Sequence, residues 1–562
     1  MDSGGNFFAI GVDFGTNSVR SLIVDTAEGR EVSSGVFNYE SGENGVLLDS
    51  RDANLARQNP ADYIKGFIVS LGAAVRQAKG KSGFDPWKVI GIGIDTTGST
   101  PLPVNKAGIP LALHREFKDE LSAQAWLWKD HASYEEAAQI TALAKKTREP
   151  YLAKCGGTYS SEWFWSKVLH CRRTSPKVFK AAYSWVEAAD FIPGFITGNL
   201  NPLKLKRGIC AAGHKAMYND DWGGLPSKKF LARLDPQLAG LRDRLYQRAA
   251  PSNQVAGYLS RSMARYTGLP EGIPVAVGAF DAHMGAVGAG IKPGTLVKII
   301  GTSTCDMMVS PQSKKLGVIP GICGIVPGSI IPGMYGIEAG QSAVGDIFAW
   351  FTGSLCPQDF CHGDAHQNLS VAAAKLKPGQ SGLLALDWNN GNRTVLVDPL
   401  LTGLLIGQTL QTTAPEIYRA LVEATAFGAL TIIRRFEEYG VKVNEVVNCG
   451  GIAEKNPFLM QTYADVLGRP MKLSASAQTC ALGAAIFGAV VGGAYKSAES
   501  AQRKMTRVKK EYFRPNPSAA GVYTGIYKLY RELHDAFGTP EYKGGLFRVM
   551  KDLIRLREAA RK

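Results

Sequence analysis

Two short apolar runs open the chain, Phe7 to Val12 and the β-rich Ser18 to Val24, parted by Asp13-Phe14-Gly15-Thr16-Asn17. Runs of this length, broken by a polar glycine turn, predict a strand, a tight turn and a second strand. The arrangement returns far downstream, where Thr295 to Ile300 and Cys305 to Val309 flank Gly301-Thr302-Ser303-Thr304. The chain therefore reads as two related halves, each opening on a hairpin whose tip carries glycine and hydroxyl side chains. Two such turns facing each other across a cleft would hold one phosphate chain between them.

Elsewhere strands alternate with helices, the pattern of an α/β architecture. Val89 to Ile94 is apolar and ends in Asp95-Thr96-Thr97-Gly98, and Pro274 to Val277 ends in Gly278-Ala279-Phe280-Asp281. Ligands of open α/β sheets bind at the carboxyl ends of strands, which makes Asp95 and Asp281 candidates. Glu445 to Cys449 is a further strand, followed by Gly450-Gly451 and a helix with Asn456 as N-cap, Pro457 in its first turn and Gly468-Arg469-Pro470 as its stop. Glu416 to Tyr439 places Ile417, Leu421 and Ala424 at helical spacing on a core-facing side. Leu473 to Tyr495 is uncharged and long enough to span a bilayer, yet Ser474, Ser476, Gln478, Thr479 and four glycines favour a buried helix packed closely on a sheet. The domain junction is expected in the glycine-rich stretch Gly285 to Gly294, giving an N-terminal domain of residues 1–289 and a C-terminal domain of residues 290–562 that ends in a basic helical extension.

Composition narrows the class. A chain of 562 residues calls for two to four domains, and 45% hydrophobic with 20% charged residues excludes a disordered chain, a coiled coil or a collagen-like fibre. The net charge of +15 is diffuse. Its one dense stretch, Arg503 to Lys510, has no interleaved aromatics and reads as a solvated helix face, so no nucleic-acid partner is expected. Nine cysteines at irregular spacing do not form a disulfide framework and suit a reducing compartment. Met1 to Asn6 lacks a basic leader region and the run from Phe7 is broken by Asp13, so the expectation is a cytoplasmic protein without a membrane partner.

Several motifs fail on inspection. Gly80-Lys81-Ser82 resembles the end of a phosphate loop, but Val75 stands where the first glycine is required. Gly285-Ala286-Val287-Gly288-Ala289-Gly290 mimics a dinucleotide fingerprint without a strand directly before it, which leaves close helix packing as its role. Gly301-Thr302-Ser303-Thr304-Cys305 lacks the second glycine of a nucleophile elbow. Cys356, Cys361, His362 and His366 offer zinc-type ligands but no C-x-x-C knuckle, and read as a surface loop. Trp126, Trp128, Trp163 and Trp165 read as core, with one of them available to close over the C–H face of a sugar.

Asp13 alone is a turn residue, and Asp281 alone a helix cap. Together with two hydroxyl-rich glycine turns they supply the parts of phosphoryl transfer: backbone N–H donors for phosphate oxygens, a carboxylate for hydrated Mg²⁺, and a base for an alcohol.

The same residues carry a resemblance. The sequence resembles the FGGY carbohydrate kinases in Gly11 to Arg20, Gly91 to Thr100, Leu127-Trp128-Lys129-Asp130-His131, Tyr159 to Trp165 and Ala212-Gly213-His214-Lys215. It continues through Gly278 to Gly285, Ile300 to Asp306, Glu338-Ala339-Gly340-Gln341-Ser342 and Gly450-Gly451-Ile452-Ala453, covering most of the chain in the family's order. The resemblance implies two actin-like, ribonuclease-H-like ATPase domains with the catalytic cleft between them. It implies Asp281 as the base, Asp13 with Asp281 beside Mg²⁺, and Gly15, Thr16, Asn17 and Ser18 facing Gly301, Thr302 and Ser303 across the phosphates of ATP. Gly450, Gly451 and Asn456 would lie near the adenosine, and Gly98, Trp128, Lys215, Asp281 and Glu338 around the sugar. The implied reaction is transfer of the γ-phosphate of ATP to the terminal hydroxyl of a ketopentose, L-ribulose first. The alternatives are another ketopentose or polyol (xylulose, D-ribulose, ribitol), or an ATP-binding regulator without turnover. Oligomeric state stays open, a homodimer included.

Overall fold

The first hairpin pairs strand β1 (Phe8–Phe14) antiparallel with β2 (Ser18–Asp25), and β3 (Glu31–Asn38) extends it. The structure is a computed structural model that describes residues 7–81, 83–314, 316–546 and 549–561. The leader region 1–6 and Ser82 of the rejected phosphate loop lie outside the described residues. Helix α1 (Pro60–Lys79), started by the Asn59 cap and Pro60, buries Tyr63, Phe67 and Leu71 on the hairpin side. Strand β4 (Val89–Thr96) then runs parallel to β1. Among the helices that follow on the way to the sheet's far edge are α2 (Phe164–Thr174) and α3 (Ile209–Lys215), and then come strands β5 (Val255–Tyr258), β6 (Pro274–Ala276) and β7 (Ala279–Phe280). The strand order is β5-β6-β4-β1-β2-β3, with β7 beside β4, and helix α4 (Asp281–Gly288) leaves directly from β7.

The second half repeats the plan. Strands β8 (Thr295–Ile300) and β9 (Thr304–Pro311) form its hairpin, β10 (Gly324–Pro327) pairs with β11 (Met334–Ala339), which pairs in turn with β9, and helices α5 (Gly345–Trp350) and α6 (Ala414–Glu438) follow. Strand β12 (Glu445–Cys449) lies parallel to β8. Helix α7 (Pro457–Leu467), strand β13 (Met471–Leu473) and helix α8 (Thr479–Val491) complete the set, in the order β10-β11-β9-β8-β12-β13. Each sheet thus has an antiparallel hairpin with a parallel strand on the other side of its first member: β2-β1-β4 and β9-β8-β12. That shared topology is the internal repeat expected from the two glycine turns.

The halves meet through α4 and α8. Ala9, Leu22 and Val24 from the first sheet and Val297, Met307 and Val447 from the second join Met284, Val287, Ile486 and Phe487 of these helices in one buried cluster. Each fully buried side chain of this size contributes about 1.5–3 kcal/mol. The approach of α8 to the first sheet is very close: a Cβ on Gly93 would stand 1.8 Å from the Ala484 carbonyl oxygen. A Cβ on Gly288 would stand 2.0 Å from the Thr479 oxygen, so Gly288 serves close helix packing, while Gly290 turns the chain beyond the helix end with φ +80°. Among the described residues, no helix is long and apolar enough to cross a membrane.

Three local readings shift. Asp13 lies inside β1 because the β1–β2 ladder runs to Phe14↔Val19. Gly285 to Gly288 are helical, so the crossing between the sheets is confined to the residues after them. Arg503 and Lys504 end a helix, but Arg507, Lys509 and Lys510 follow it as exposed extended chain, with Val508 bridged to Ser474.

Candidate active site

Three acids gather where strands of the first sheet end. Asp13 near the end of β1 stands in register with Asp95 on β4, and Asp95 stands in register with Ala279 on β7, two residues before Asp281. Parallel pairing thus aligns three carboxyl-terminal strand ends, and Asp281 opens α4 with one oxygen accepting the Ala282 N–H at 2.7 Å. Asp95 is completely buried and neither of its oxygens meets a donor. Burial raises the Asp13 carboxyl, Asp95 is pushed well above the usual range by burial and by Asp13, and Asp281 is pushed up to about 7 by burial and then by Asp13. Cys480, in the first turn of α8, feels all three acids, which puts the amino end of that helix against the cluster.

The two glycine turns are built alike. In the first, Gly15 N–H donates to the Ser18 carbonyl at 2.9 Å, Gln58 Nε2 donates to Thr16 O at 2.7 Å, and Asn17 is exposed at the tip. In the second, Gly301 N–H donates to Ser303 O at 2.9 Å, with Gly301 and Thr302 exposed. The start of α5 is sewn to this turn, since the N–H groups of Val344 and Asp346 both donate to Thr302 O, at 2.8 and 3.1 Å. Gly450 follows β12 beside it with φ +98°, a conformation that suits glycine, and its missing Cβ would stand 2.4 Å from Ile300 O. Gly451 faces open space. Asn456 caps α7 by accepting from Leu459 N–H at 3.0 Å and donates to Ser370 Oγ, so its side chain is spent on structure.

On the other wall, Lys215 at the end of α3 reaches Glu338 on β11, with Nζ 2.7 Å from Oε1. Both are buried. The glutamate holds the lysine charged against the pull of burial, and Lys215, His214 and His283 hold Glu338 well below the usual carboxylate range in the same way. Trp128 is half-buried and donates its indole N–H to Thr16 Oγ1 at 3.0 Å, which ties it to the first phosphate turn, while Trp126, Trp163 and Trp165 are core. The Cβ of Trp128 lies 3.7 Å from where a Cβ on Gly98 would be.

The candidate residues of the sequence therefore fall into three groups, the acids with the first turn, the second turn with Gly450, and Lys215 with Glu338, but the side chains that support them carry little local signal. Lys167 of α2 donates to the carbonyls of Ser99 and Leu127, both at 2.8 Å, and Glu187 accepts from Ser99 Oγ and Thr100 N–H, also at 2.8 Å. They lock the loops that present Gly98 and Trp128. The one signal for Lys167 was a lysine inside the apolar run Phe164 to Leu169. Glu162 of the first half pairs with Arg393 of the second at 3.3 Å. Among the described residues, the set of metal-ligating side chains that converges within 4.8 Å is His214, His283 and Glu338. Cys356, Cys361, His362 and His366 do not converge; Cys361 Sγ turns to backbone carbonyls and His366 to Thr352.

Comparison with known proteins gives the family. The model of the FGGY carbohydrate kinase N-terminal domain matches residues 8–288 and that of the C-terminal domain residues 296–491. The chain is 43% identical to a ribulokinase of Vibrio parahaemolyticus, over 93% of this chain and 95% of that one. It is 42% identical to a ribulokinase of Geobacillus thermodenitrificans over 99% and 98%. Among solved structures, a xylulose kinase from Rhodospirillum rubrum superposes with TM-score 0.76 at 24% identity, covering 94% of this chain and 98% of that one. The glycerol kinase of Plasmodium falciparum gives 0.74 at 15% identity, covering 95% and 99%. With matching sheets and glycine turns in both halves and both family models matched, the chain belongs to the FGGY family of carbohydrate kinases.

Proposed function

We propose that this protein transfers the γ-phosphate of ATP to the 5-hydroxyl of L-ribulose, giving L-ribulose 5-phosphate and ADP, a step of arabinose breakdown. The observation that carries the reading is Asp281: a carboxylate at a strand end with its proton affinity raised into the neutral range, set between a cluster of acids and the Lys215–Glu338 wall. The whole-length likeness to ribulokinases supports ribulose over the other pentuloses and polyols.

In this mechanism Lys215, Glu338, Gly98 and Trp128 orient the sugar so that its terminal oxygen points at the γ-phosphorus. Asp281 accepts the hydroxyl proton on its own lone pair as a lone pair of the sugar oxygen forms the new O–P bond; the O–H pair stays on that oxygen, and the pair of the broken bond to the β-phosphate oxygen leaves with ADP. Gly15 to Ser18 and Gly301 to Ser303 offer backbone N–H and hydroxyl groups to the phosphates from the two sides. The partnerless oxygens of Asp95 and the half-buried Asp13 beside it fit a cation. Asp13 and Asp281 would hold it, and since the three acids do not converge as tightly as the histidine set, hydrated Mg²⁺ is the species that suits them. When bound, Mg²⁺ offsets the charge of the β- and γ-phosphates.

For the nucleotide, Gly450 and Gly451 adjoin the second turn, and α5 leads from Thr302 to a groove of about 450 Å³ walled by Trp350, Phe351, Leu404 and Ile417, apolar surface of the kind an adenine ring needs. Residues 1–289 then carry the base and the sugar groups other than Glu338, and residues 290–562 carry Glu338 and most of the nucleotide groups. Contacts across the halves, Lys215–Glu338, Glu162–Arg393 and Ile325 N–H to Lys154 O at 3.0 Å, close the cleft against water, which would otherwise compete for the phosphoryl group. The test is a panel of L- and D-ribulose, xylulose, glycerol, arabinose and ribitol with MgATP. The expected result is highest kcat/KM on L-ribulose, and phosphorylation of none of them refutes the reading.

A further inference from the structure

Behind Lys215 and Glu338 lies a set of side chains that the phosphoryl chemistry does not use. His214 on α3 and His283 on α4 are both buried, their rings 4.5 Å apart and crossed at 62°. His214 Nδ1 lies 3.3 Å, and His283 Nε2 3.8 Å, from Glu338 Oε2. Despite these distances none satisfies another: His214 Nδ1, both nitrogens of His283 and Glu338 Oε2 are buried without a hydrogen-bond partner. The remaining atoms are accounted for, Glu338 Oε1 by Lys215 and His214 Nε2 by Ser329 Oγ at 2.9 Å. A buried polar atom left unpaired typically forfeits about 1–3 kcal/mol, so four in one place are contacts that a ligand's polar group would complete.

The donor inventory says which ligand. A carboxylate only accepts, whereas a neutral imidazole donates at one nitrogen and accepts at the other. The group that bridges them must donate to Glu338 Oε2 and accept from an imidazole N–H, and a hydroxyl does both. A divalent cation takes lone pairs alone, and here it would share a carboxylate with the Lys215 ammonium.

We propose that His214 and His283 are sugar-contacting specificity residues, which with Glu338 Oε2 enclose one hydroxyl of the ketopentose. The assignment rests on the ribulose-kinase reading and extends the sugar site to two residues of one histidine pair, brought together from α3 and α4. A site built to pair a hydroxyl rejects an analogue lacking it far more strongly than it distinguishes apolar groups, because its own polar atoms stay unpaired.

The experiment compares L-ribulose with its deoxy analogues lacking the hydroxyl at carbon 1, 3 or 4, using the wild-type enzyme and the variants H214L, H283L, H214N and H283Q. In wild type one analogue is expected to lose at least about 100-fold in kcat/KM. The leucine variants lose activity on L-ribulose but show less than about tenfold further loss on that analogue, while KM for ATP stays within about twofold. Asn at 214 and Gln at 283 place an amide where Nδ1 and Nε2 stood and retain discrimination. Should the leucine variants not fold, H214Q and H283N, whose amides are displaced from those atoms, are read in the same way. Equal losses on every analogue overturn the proposal, as does stoichiometric Zn²⁺ or Co²⁺ binding that H283L abolishes, which identifies a cation site. If wild type phosphorylates no ribulose, the functional reading falls and takes this one with it. If wild type is active and the variants discriminate as it does, only the histidine assignment falls.

Discussion

Lys215 Nζ lies 2.7 Å from Glu338 Oε1, an ion pair contributed half by each sheet system and buried on both sides. Removing one partner of such a pair strands the other charge, which destabilises by about 3–5 kcal/mol. K215M and E338L are therefore expected to lower the urea midpoint strongly, and the double variant K215M/E338L to recover much of that loss. Activity does not follow stability: all three variants lose at least about 100-fold in kcat/KM for the sugar, since the hydroxyl partners are gone whether or not the fold is restored. A double variant as active as wild type would show that the pair only holds the halves together.

Asp281 gives a pH signature. Its carboxyl sits at about 7, raised first by burial and next by the Asp13 charge, and a base acts only when unprotonated. The sugar kcat/KM should fall about tenfold per pH unit below that value and level off above it. The same shift has a stability consequence of fixed sign. A folded-state value above the ordinary 3.8 means that the stabilising contribution is complete below about pH 4 and is lost as pH rises through 7. D281N therefore loses about 100- to 10,000-fold in turnover with ATP affinity retained, and melts higher than wild type at pH 8 but not at pH 4. A melting difference of the opposite sign at pH 8 would count against the half-buried, reluctant carboxylate.

Both hairpins, the helix cap at Asn456 and the strand-end positions of Asp95 and Asp281 are legible in the sequence because each is decided within a few residues, by apolar run length, glycine and capping chemistry. So is the buried helix of residues 479–491, whose glycines declare a close neighbour without naming it. What the chain does not declare is convergence. His214, His283 and Glu338 come from three elements, and nothing local in Gly213-His214-Lys215 or Ala282-His283-Met284 says that they meet. Lys167 and Glu187 are hidden for the same reason: a lysine whose three acceptors are carbonyls of two distant loops leaves only a charge in an apolar run. Asp95 was seen as a strand end, but its weight comes from standing opposite Asp13, a register that only the parallel pairing creates.

The indole of Trp128 and the hydroxyl of Thr16 link the sugar wall to the phosphate turn through one 3.0 Å hydrogen bond. Trp128→Phe keeps the apolar face and deletes the donor; Thr16→Val deletes the acceptor. Each is expected to raise KM for ATP by about two- to tenfold, in line with about 1 kcal/mol for a neutral hydrogen bond, and the double variant to be no worse than the poorer single one. Strictly multiplicative effects would mean that the two side chains act separately.

Glycines of the fold and glycines of the site should part company under the same substitution. A Cβ on Gly93 meets the Ala484 carbonyl at 1.8 Å, where both sheet and helix backbone would have to move, whereas a Cβ on Gly451 meets nothing within 4 Å. Overpacking of that kind destabilises by about 1–3 kcal/mol or more. Gly93→Ala is accordingly expected to lower the unfolding midpoint, with kcat and both KM values of the surviving folded enzyme close to wild type. Gly451→Ala should melt as wild type does, since it crowds no protein atom, yet weaken ATP several-fold because the added methyl occupies the open side of the turn beside Gly450 and Gly301. The measurement is one melting curve and one ATP titration for each protein. If Gly451→Ala leaves ATP binding untouched, the nucleotide does not approach that turn, and the adenosine must be sought on another face of the second sheet.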